Sequence, residues 1–168
     1  MKTLKLYSGN GMSSSLRVLL PQFERAHDCK IETLYEPAQI LLREITAGRT
    51  ADLAILGGGV MDQVVKQGHI VAVSVRKLTS NGIGVGVLKG SPRPDIATVE
   101  ACKRTLLNAR CVAYTTEGAS GIYFAGLIEK LGIANEIKAK AKTRAGGLIA
   151  EFVVSGDADI AVQQIPEI

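Results

Sequence analysis

Apolar residues recur along the first half of the chain at two spacings, one typical of strands and the other of amphipathic helices. Three short apolar or alternating runs predict strands, at residues 4–7, 30–35 and 52–56. Apolar side chains at helical spacing predict three helices, at residues 13–26, 38–47 and 60–67. The third strand is nearly all apolar, as in a buried parallel strand, and Pro21 predicts a kink in the first helix. This alternation predicts a parallel sheet with helices on both faces.

The pattern changes between Lys77 and Lys89, where glycine alternates with isoleucine and valine. This alternation predicts an extended crossover strand whose glycines allow close backbone approach and bending. Thr98 is a favourable N-cap for a helix over residues 99–108, with Glu100 in its first turn. The remaining elements are predicted as strands at residues 111–114, 136–143 and 159–163 and as helices at residues 120–131 and 147–154.

The start of the chain is echoed in its second half at one constant offset. Residues 7–13 align with residues 114–120, with tyrosine, glycine and serine at the same places, and Ala51–Asp52 aligns with Ala158–Asp159. In each copy a strand leads through a Gly/Ser turn into a helix, and an Ala-Asp-apolar strand comes later. The repeat predicts two facing α/β lobes whose helix starts offer hydroxyl and N–H groups to an anion in a cleft. The alternative is chance similarity between two α/β units that both need a glycine turn.

Composition narrows the classes of function. With 168 residues, 46% of them hydrophobic and 21% charged, the chain is typical of a soluble globular protein. Only 4% of residues are aromatic, none is Trp, and the net charge of +4 is scattered, so we expect no nucleic-acid partner. The two His and three Cys form no metal-ligand spacing, and no Ser-His-Asp order is evident, so we expect no metal, no cofactor and no catalytic residue. Asp52 and Asp159 are expected to cap or terminate turns.

The turn at Gly9–Ser14 follows a predicted strand and opens a helix. It is one residue short of the dinucleotide fingerprint G-x-G-x-x-G, because Ser14 replaces the third glycine, although Glu36 offers the acidic residue after the second strand. Its serines suit a small oxyanion better than a pyrophosphate, and a third interpretation is that they simply cap the helix. Gly57–Gly59 likewise leaves backbone N–H groups open after a strand, unless it is only a flexible turn.

Two turns in the second half of the chain offer similar groups. At Glu117–Gly121, the Ser120 hydroxyl and the N–H groups of Ser120 and Gly121 are expected at a helix start. Arg144 stands shortly before two glycines and could pair bidentately with a carboxylate or another oxyanion. The alternative for Arg144 is an ordinary surface charge.

On these residues the chain resembles the type 2 periplasmic binding proteins, specifically the molybdate-binding-like branch of the solute receptors of ABC transporters. The resemblance covers essentially the whole chain and is carried by residues 7–13, 50–56, 81–87, 118–124 and 156–164. It implies an α/β fold of two lobes with parallel-type sheets joined by crossover strands. The lobes are expected at residues 1–79 and 80–164, with the start of a return to lobe one at residues 165–168. Since family members add further elements there, lobe one is expected to be incomplete.

The resemblance implies the solute-binding component of an ABC transporter, capturing a small oxyanion or organic anion in an interlobe cleft without covalent chemistry. The alternatives are an isomerase of a small tricarboxylate such as aconitate on the same fold, a dinucleotide-dependent enzyme, and a fragment that binds nothing. Molybdate receptors of this type usually offer Tyr where Gln164 stands and Ser or Thr near Gln39, so a carboxylate fits at least as well. Together with the turns above, the resemblance predicts ligand contacts at Ser8, Gly11, Met12, Ser13, Gln39, Gly58, Ser120, Gly121, Arg144, Gly146 and Gln164.

The resemblance also implies a membrane permease as partner and a periplasmic location. No signal peptide is visible at the N-terminus, so the location would be cytoplasmic if Met1 is the native start. An incomplete lobe one would leave a sheet edge and apolar surface uncovered, which predicts a homo-oligomer through that lobe. Its candidate interface residues, unless they are ordinary core, are Leu16, Leu19, Leu20, Leu41 and Leu42.

Overall fold

The computed structural model describes residues 1–168 and divides the chain into two compact units, Met1–Ser80 and Asn81–Ile168. They are called unit one and unit two below. The sequence-based boundary between the lobes falls between residues 79 and 80. No helix in either unit combines the length and the apolar character needed to cross a membrane.

Unit one is built on a three-stranded parallel sheet in the order β2-β1-β3. Its strands are β1 (Lys2–Gly9), β2 (Cys29–Glu36) and β3 (Leu53–Ile55). Its helices are α1 (Ser13–His27), α2 (Ala38–Thr46) and α3 (Gly58–Lys66). Strands and helices alternate along the chain, and parallel neighbours joined by helices are the arrangement that the hydrophobic pattern predicts. The predicted parallel sheet of the first half is therefore confirmed.

Different helices cover the two faces of this sheet. Tyr7 on β1 packs in a buried cluster with Leu41 of α2 and Val64 of α3. Side chains alternate between faces along a strand, and Tyr35 on β2 lies on the other face, with Arg17 of α1 placed 6.0 Å from the centre of its ring. The helices thus cover both faces of the sheet around β1. Because the strands are parallel, the turns that follow them lie at one edge of the sheet.

One expectation for unit one, the burial of its third strand, is wrong. β3 was predicted as a buried strand, but Leu53 is 59% exposed, because β3 is an edge strand that pairs with β1 alone. Pro21 lies inside α1, which continues past it, and the kink expected there stays a prediction. Among the candidate interface leucines, Leu16 and Leu41 are buried within unit one, whereas Leu19 is 54% exposed.

Unit two repeats the strand arrangement of unit one and adds a strand. Its strands are β4 (Ile83–Gly86), β5 (Val112–Thr115), β6 (Ala141–Arg144) and β7 (Ile160–Gln164). Its helices are α4 (Val99–Asn108), α5 (Ala119–Lys130), α6 (Ala134–Ala139) and α7 (Glu151–Val154). The sheet order is β4-β7-β5-β6, in which β5 is parallel to β6 and β7, and β4 is antiparallel to β7. The order β6-β5-β7 matches β2-β1-β3, so the repeat seen in the sequence has a structural counterpart.

One strand predicted in unit two is partly a helix, and its buried residues belong to the main core of that unit. Residues 136–143 were expected to be extended, but residues 134–139 form α6 and only Ala141–Arg144 is a strand. Gly132 ends α5 with a φ of +66°, and Ile133 and Ile137, four residues apart, are both buried in the core cluster. This helical spacing of buried isoleucines favours a short helix over the first part of the predicted strand.

The glycines of β4 allow close packing, as their alternation with Ile and Val predicts. Ile83 and Val85 pack against the main core of unit two. On the other face, a Cβ atom on Gly84 or Gly86 would approach the side chains of Ile165 and Ile168 to between 2.9 and 3.2 Å. The C-terminal residues therefore lie on a glycine surface that larger side chains would push away.

The two aspartates of the repeat were expected to cap or terminate turns, but each binds a backbone N–H group far away in the sequence. Asp52 accepts a hydrogen bond of 2.8 Å from the backbone N–H of Lys5, and Asp159 accepts one of 2.5 Å from that of Arg110. Partial desolvation raises the pKa of Asp159, but hydrogen bonds from Arg110 and Cys111 and the Arg110 charge hold that pKa below its usual value. Each carboxylate thus ties the strand that follows it to a neighbouring strand.

The start of α5 yields a stability prediction. A Cβ atom on Gly121 would overlap the carbonyl oxygen of Thr115, whereas one on Gly126 in the same helix would meet nothing within 4 Å. We expect Gly121→Ala to lower the free energy of unfolding by about 3 kcal/mol or more. The matched change Gly126→Ala should raise it by about 0.5–1 kcal/mol, because alanine favours helix. Urea unfolding followed by circular dichroism measures both, and equal effects of the two changes would contradict the close packing.

Candidate functional site

The candidate site residues of unit one lie at the carboxyl edge of its sheet. Parallel strands end at the same edge, so the turns after β1, β2 and β3 are neighbours there. The six residues are Ser8, Gly11, Met12, Ser13, Gln39 and Gly58. Ser8 lies near the end of β1, Gly11 and Met12 lie in the turn before α1, and Ser13 begins α1. Gln39 and Gly58 lie at or near the starts of α2 and α3. The topology therefore brings together all of the contacts predicted in the first half.

Their exposure and bonding differ. Ser8 is fully buried, and its hydroxyl donates a hydrogen bond of 3.1 Å to the carbonyl of Gly9. The N–H of Ser13 already donates to the carbonyl of Asn10 in the short 3-10 turn. Gly58, by contrast, is exposed and opens α3 after Gly57, which has no side chain to cap the helix. In unit one, α3 therefore offers the more accessible donors.

Capping separates α4 from the other helices. Thr98 caps α4, and its Oγ1 accepts a hydrogen bond of 3.1 Å from the N–H of Ala101. In none of the other six α-helices does the N-cap side chain accept a hydrogen bond from an N–H of the first turn. The first N–H groups of a helix need partners, and a helix start without a cap favours an anion through its unpaired N–H groups and its dipole. Uncapped starts after strands are therefore the main chemical feature of the candidate site.

The start of α5 is the best-defined example, in unit two. Gly118 is its N-cap residue, and the N–H of Ile122 is the first to bond within the helix, to the carbonyl of Gly118 at 3.0 Å. The N–H groups of residues 119–121 precede that bond and have no partner in the helix. Ser120 is only 2% exposed, and Gly121 is buried. Ser120 and Gly121 thus lie where the sequence predicts a donor-rich turn.

Arg144 lies beside this turn, at the end of β6, but is largely committed to unit two. Its Nη1 lies 3.0 Å from Glu151 Oε2, and its Nη2 donates to the carbonyl of Leu148. Its Cζ lies 5.2 Å from the centre of the Phe152 ring. Only Nε lacks a partner, and it is buried. Bidentate pairing of Arg144 with a ligand stays a prediction, and it would require Glu151 or Leu148 to give up its contact.

Gln163 is a residue of this region that the sequence analysis missed as a structural anchor. It is 2% exposed, its Oε1 accepts a hydrogen bond of 2.8 Å from Ile149 N–H, and its Nε2 donates one of 2.9 Å to the Gly147 carbonyl. The side chain therefore fixes the loop after β6, which contains the half-buried Gly146, to β7. A glutamine within the apolar run of β7 was the signal that could have revealed it.

Gln164 ends β7 and is half-buried. Its Oε1 accepts a hydrogen bond of 3.3 Å from Asn81 Nδ2, and its Nε2 donates one of 3.3 Å to Glu167 Oε1. Burial raises the pKa of Glu167, against hydrogen bonds from Gln163 and Gln164 that lower it. The amide of Gln164 is thus held by two polar neighbours at the carboxyl end of its strand.

The donors at these edges are N–H and hydroxyl groups rather than metal ligands. No group of three or more His, Cys, Asp or Glu side chains is placed to hold a metal ion. The three cysteines, Cys29, Cys102 and Cys111, are free thiols. The chemistry that the arrangement supports is recognition of negative charge by neutral donors.

Comparison with known proteins decides the family. Residues 4–167 match the model of a family described as bacterial extracellular solute-binding protein. The chain belongs to this family. The match spans both units and confirms the resemblance to the solute-binding receptors, and the solved structures below show the fold of the periplasmic binding proteins.

Solved structures support the fold of this solute-binding protein. The periplasmic molybdate-binding protein of Azotobacter vinelandii superposes with a TM-score of 0.80 at 15% identity, over 98% of this chain and 72% of that one. A tungstate ABC transporter protein from Geobacter sulfurreducens gives a TM-score of 0.70 at 17% identity, over 98% of this chain and 73% of that one. At these identities the likeness establishes the α/β fold of periplasmic binding proteins.

One curated relative is an enzyme. Aconitate isomerase from Pseudomonas sp is 27% identical over 172 residues, which covers 99% of this chain and 65% of that protein. This solute-binding protein therefore spans about two thirds of the length of the curated relative that it matches.

The hydrogen bonds of Gln163 predict how its replacement changes stability. Gln163→Leu would leave the buried N–H of Ile149 unpaired and remove the partner of the more exposed Gly147 carbonyl, so the free energy of unfolding should fall by about 1–3 kcal/mol. Gln164→Leu is the matched control, and it should cost about 1 kcal/mol or less because its two bonds are long. Chemical denaturation measures both, and a larger loss for Gln164→Leu would contradict the assignment.

Proposed function

We propose that this protein captures a small oxyanion or organic anion as the solute-binding component of an ABC transporter. The observation that carries the proposal is the set of uncapped helix starts at the carboxyl ends of the strands, above all that of α5. Membership of the solute-binding family supports it.

The donor types guide the proposed ligand class. The helix starts offer N–H groups, Ser120 offers a hydroxyl, and Gln39 and Gln164 offer amides. Neutral donors suit both a tetrahedral oxyanion and a carboxylate, because the helix dipole supplies partial positive charge without a counterion. The structural neighbours named for molybdate and tungstate support the first, and the amides of the two glutamines support the second.

The second candidate function is isomerisation of aconitate. The one observation that favours it is the 27% identity to aconitate isomerase over nearly the whole of this chain. Such an activity requires proton transfer, whereas the candidate site is built mainly from donors to an anion. Binding without turnover is therefore the preferred proposal.

Partners and location belong to the same proposal. As a solute-binding protein of an ABC transporter, the chain would be located in the periplasm. There it would deliver its ligand to a permease in the cytoplasmic membrane. A homo-oligomer through unit one is proposed on its exposed apolar side chains, and light scattering at tens of micromolar tests it. These side chains are Val18, Leu19, Phe23 and Leu53.

A ligand panel tests the proposed function. Thermal unfolding is measured with molybdate, tungstate, sulfate, phosphate, citrate, aconitate and NAD, each added separately. A ligand present at one hundred times its Kd should stabilise the protein by about 2.7 kcal/mol. Stabilisation by one of the anions without turnover supports solute capture, and turnover of aconitate would move the assignment to the isomerase. Stabilisation by NAD alone, or a flat response throughout, would contradict the proposal.

A charge placed at the start of α5 tests the site itself. Ala119 is exposed and is the first residue of α5, so Ala119→Asp would bring a carboxylate to the unpaired N–H groups. We expect this change to stabilise the ligand-free protein by about 0.3–1 kcal/mol through the helix dipole, and to weaken anion binding by repulsion. Ala119→Asn is the neutral control and should bind the anion more tightly than Ala119→Asp. Equal affinities for both variants would place the ligand elsewhere.

A further inference from the structure

The carboxyl ends of β5 and β6 hold two buried polar groups that no atom of the protein satisfies. Thr115 Oγ1 and Arg144 Nε have no hydrogen-bond partner, and Thr115 is only 3% exposed. The two residues are paired in the parallel register of β5 and β6, so their side chains leave the sheet on the same face. Buried polar groups are nearly always hydrogen-bonded, and an exception calls for an explanation such as a functional role or a bound ion.

The Thr115 hydroxyl, at the end of β5, lies against the first turn of α5. A Cβ atom on Gly118 would stand 2.5 Å from Thr115 Oγ1, and one on Gly121 would stand 2.7 Å from it. Gly118 is the N-cap residue, so the hydroxyl occupies the space in which a capping side chain at residue 118 would begin. It nevertheless makes no hydrogen bond to the helix. The hydroxyl thus lies in the position of a cap without the bond of a cap, and its capacity to donate is unused within the protein.

We propose that Thr115 is a ligand-binding residue whose hydroxyl, together with Arg144 Nε, joins the N–H groups of residues 119–121 around one oxyanion group. The inference rests on the proposed function, because it locates the anion of that function at α5 and adds a residue to its site. Every group in this cluster can donate, and none needs to accept. The cluster therefore takes a fully deprotonated group with several oxygens, which is a carboxylate or a tetrahedral oxyanion.

This assignment gives the hydroxyl opposite effects in the two states of the protein. In the ligand-free protein, an unpaired buried hydroxyl destabilises the fold. In the loaded protein, the same hydroxyl donates to a charged oxygen, and such bonds are stronger than bonds between neutral groups. A threonine with a purely structural role would change stability without changing affinity.

The test measures melting temperature and Kd of the full chain, with molybdate, tungstate, sulfate, phosphate, citrate and aconitate as separate probes. Thr115→Val keeps the shape of the side chain and removes the hydroxyl. The melting temperature of the ligand-free protein should therefore rise, and the Kd for the bound probe should increase about tenfold or more. Thr115→Ser keeps the hydroxyl and should retain a Kd close to that of the unchanged chain. Thr98→Val is the matched control: it removes a satisfied cap, so it should lower the melting temperature and leave the Kd unchanged.

The outcomes separate this inference from the function on which it rests. If the unchanged chain binds none of these anions, both the proposed function and this inference are overturned. If it binds one of them and Thr115→Val binds with the same Kd, only the role of Thr115 is overturned. A Thr115→Val chain that melts at a lower temperature or fails to fold also overturns the inference, because the hydroxyl would then have been stabilising.

Discussion

The start of α5 lies directly against the last residue of β5, and the chemistry of unit two depends on that close approach. Gly118 and Gly121 are the residues that permit it, since a side chain at either position would run into Thr115. A glycine at the N-cap cannot cap the helix, so the N–H groups of the first turn stay without a side-chain partner. Packing and binding are therefore two consequences of the same constraint.

The glycine-led helix start in unit one has a different physical basis. Around Gly57 and Gly58 an added Cβ atom would meet nothing within 4 Å, so the space before α3 is open. The absence of a side chain there leaves backbone donors accessible instead of allowing contact with a strand. In unit two the positive charge of Arg144 contributes little to anion binding, because its terminal nitrogens already bind Glu151 and Leu148. Recognition of an anion would therefore depend on backbone dipoles more than on full charges.

Much of the fold was predictable because the hydrophobic pattern and the turns agree. The Thr98 cap and the helix that follows it were predicted with their observed bounds, and the repeat of Tyr7 and Tyr114 places both tyrosines in central strands. The burial of β3 was wrong because an apolar run does not reveal whether a strand has neighbours on both sides. The strand expected over residues 136–143 was right only for residues 141–143, because the buried Ile133 and Ile137 have helical spacing and residues 134–139 form a helix. The Thr115 hydroxyl could not be found from sequence, since its isolation depends on how the chain folds around it.

Amide chemical shifts test the central claim most directly. In a uniformly ¹⁵N-labelled chain titrated with molybdate, and separately with aconitate, the claim predicts saturable shifts of the N–H signals of Ala119, Ser120 and Gly121. The N–H of Ala101, which is already bonded to Thr98 in α4, should not move. Saturable shifts that leave residues 119–121 unchanged and appear elsewhere in unit two would contradict the claim that uncapped helix starts bind the anion.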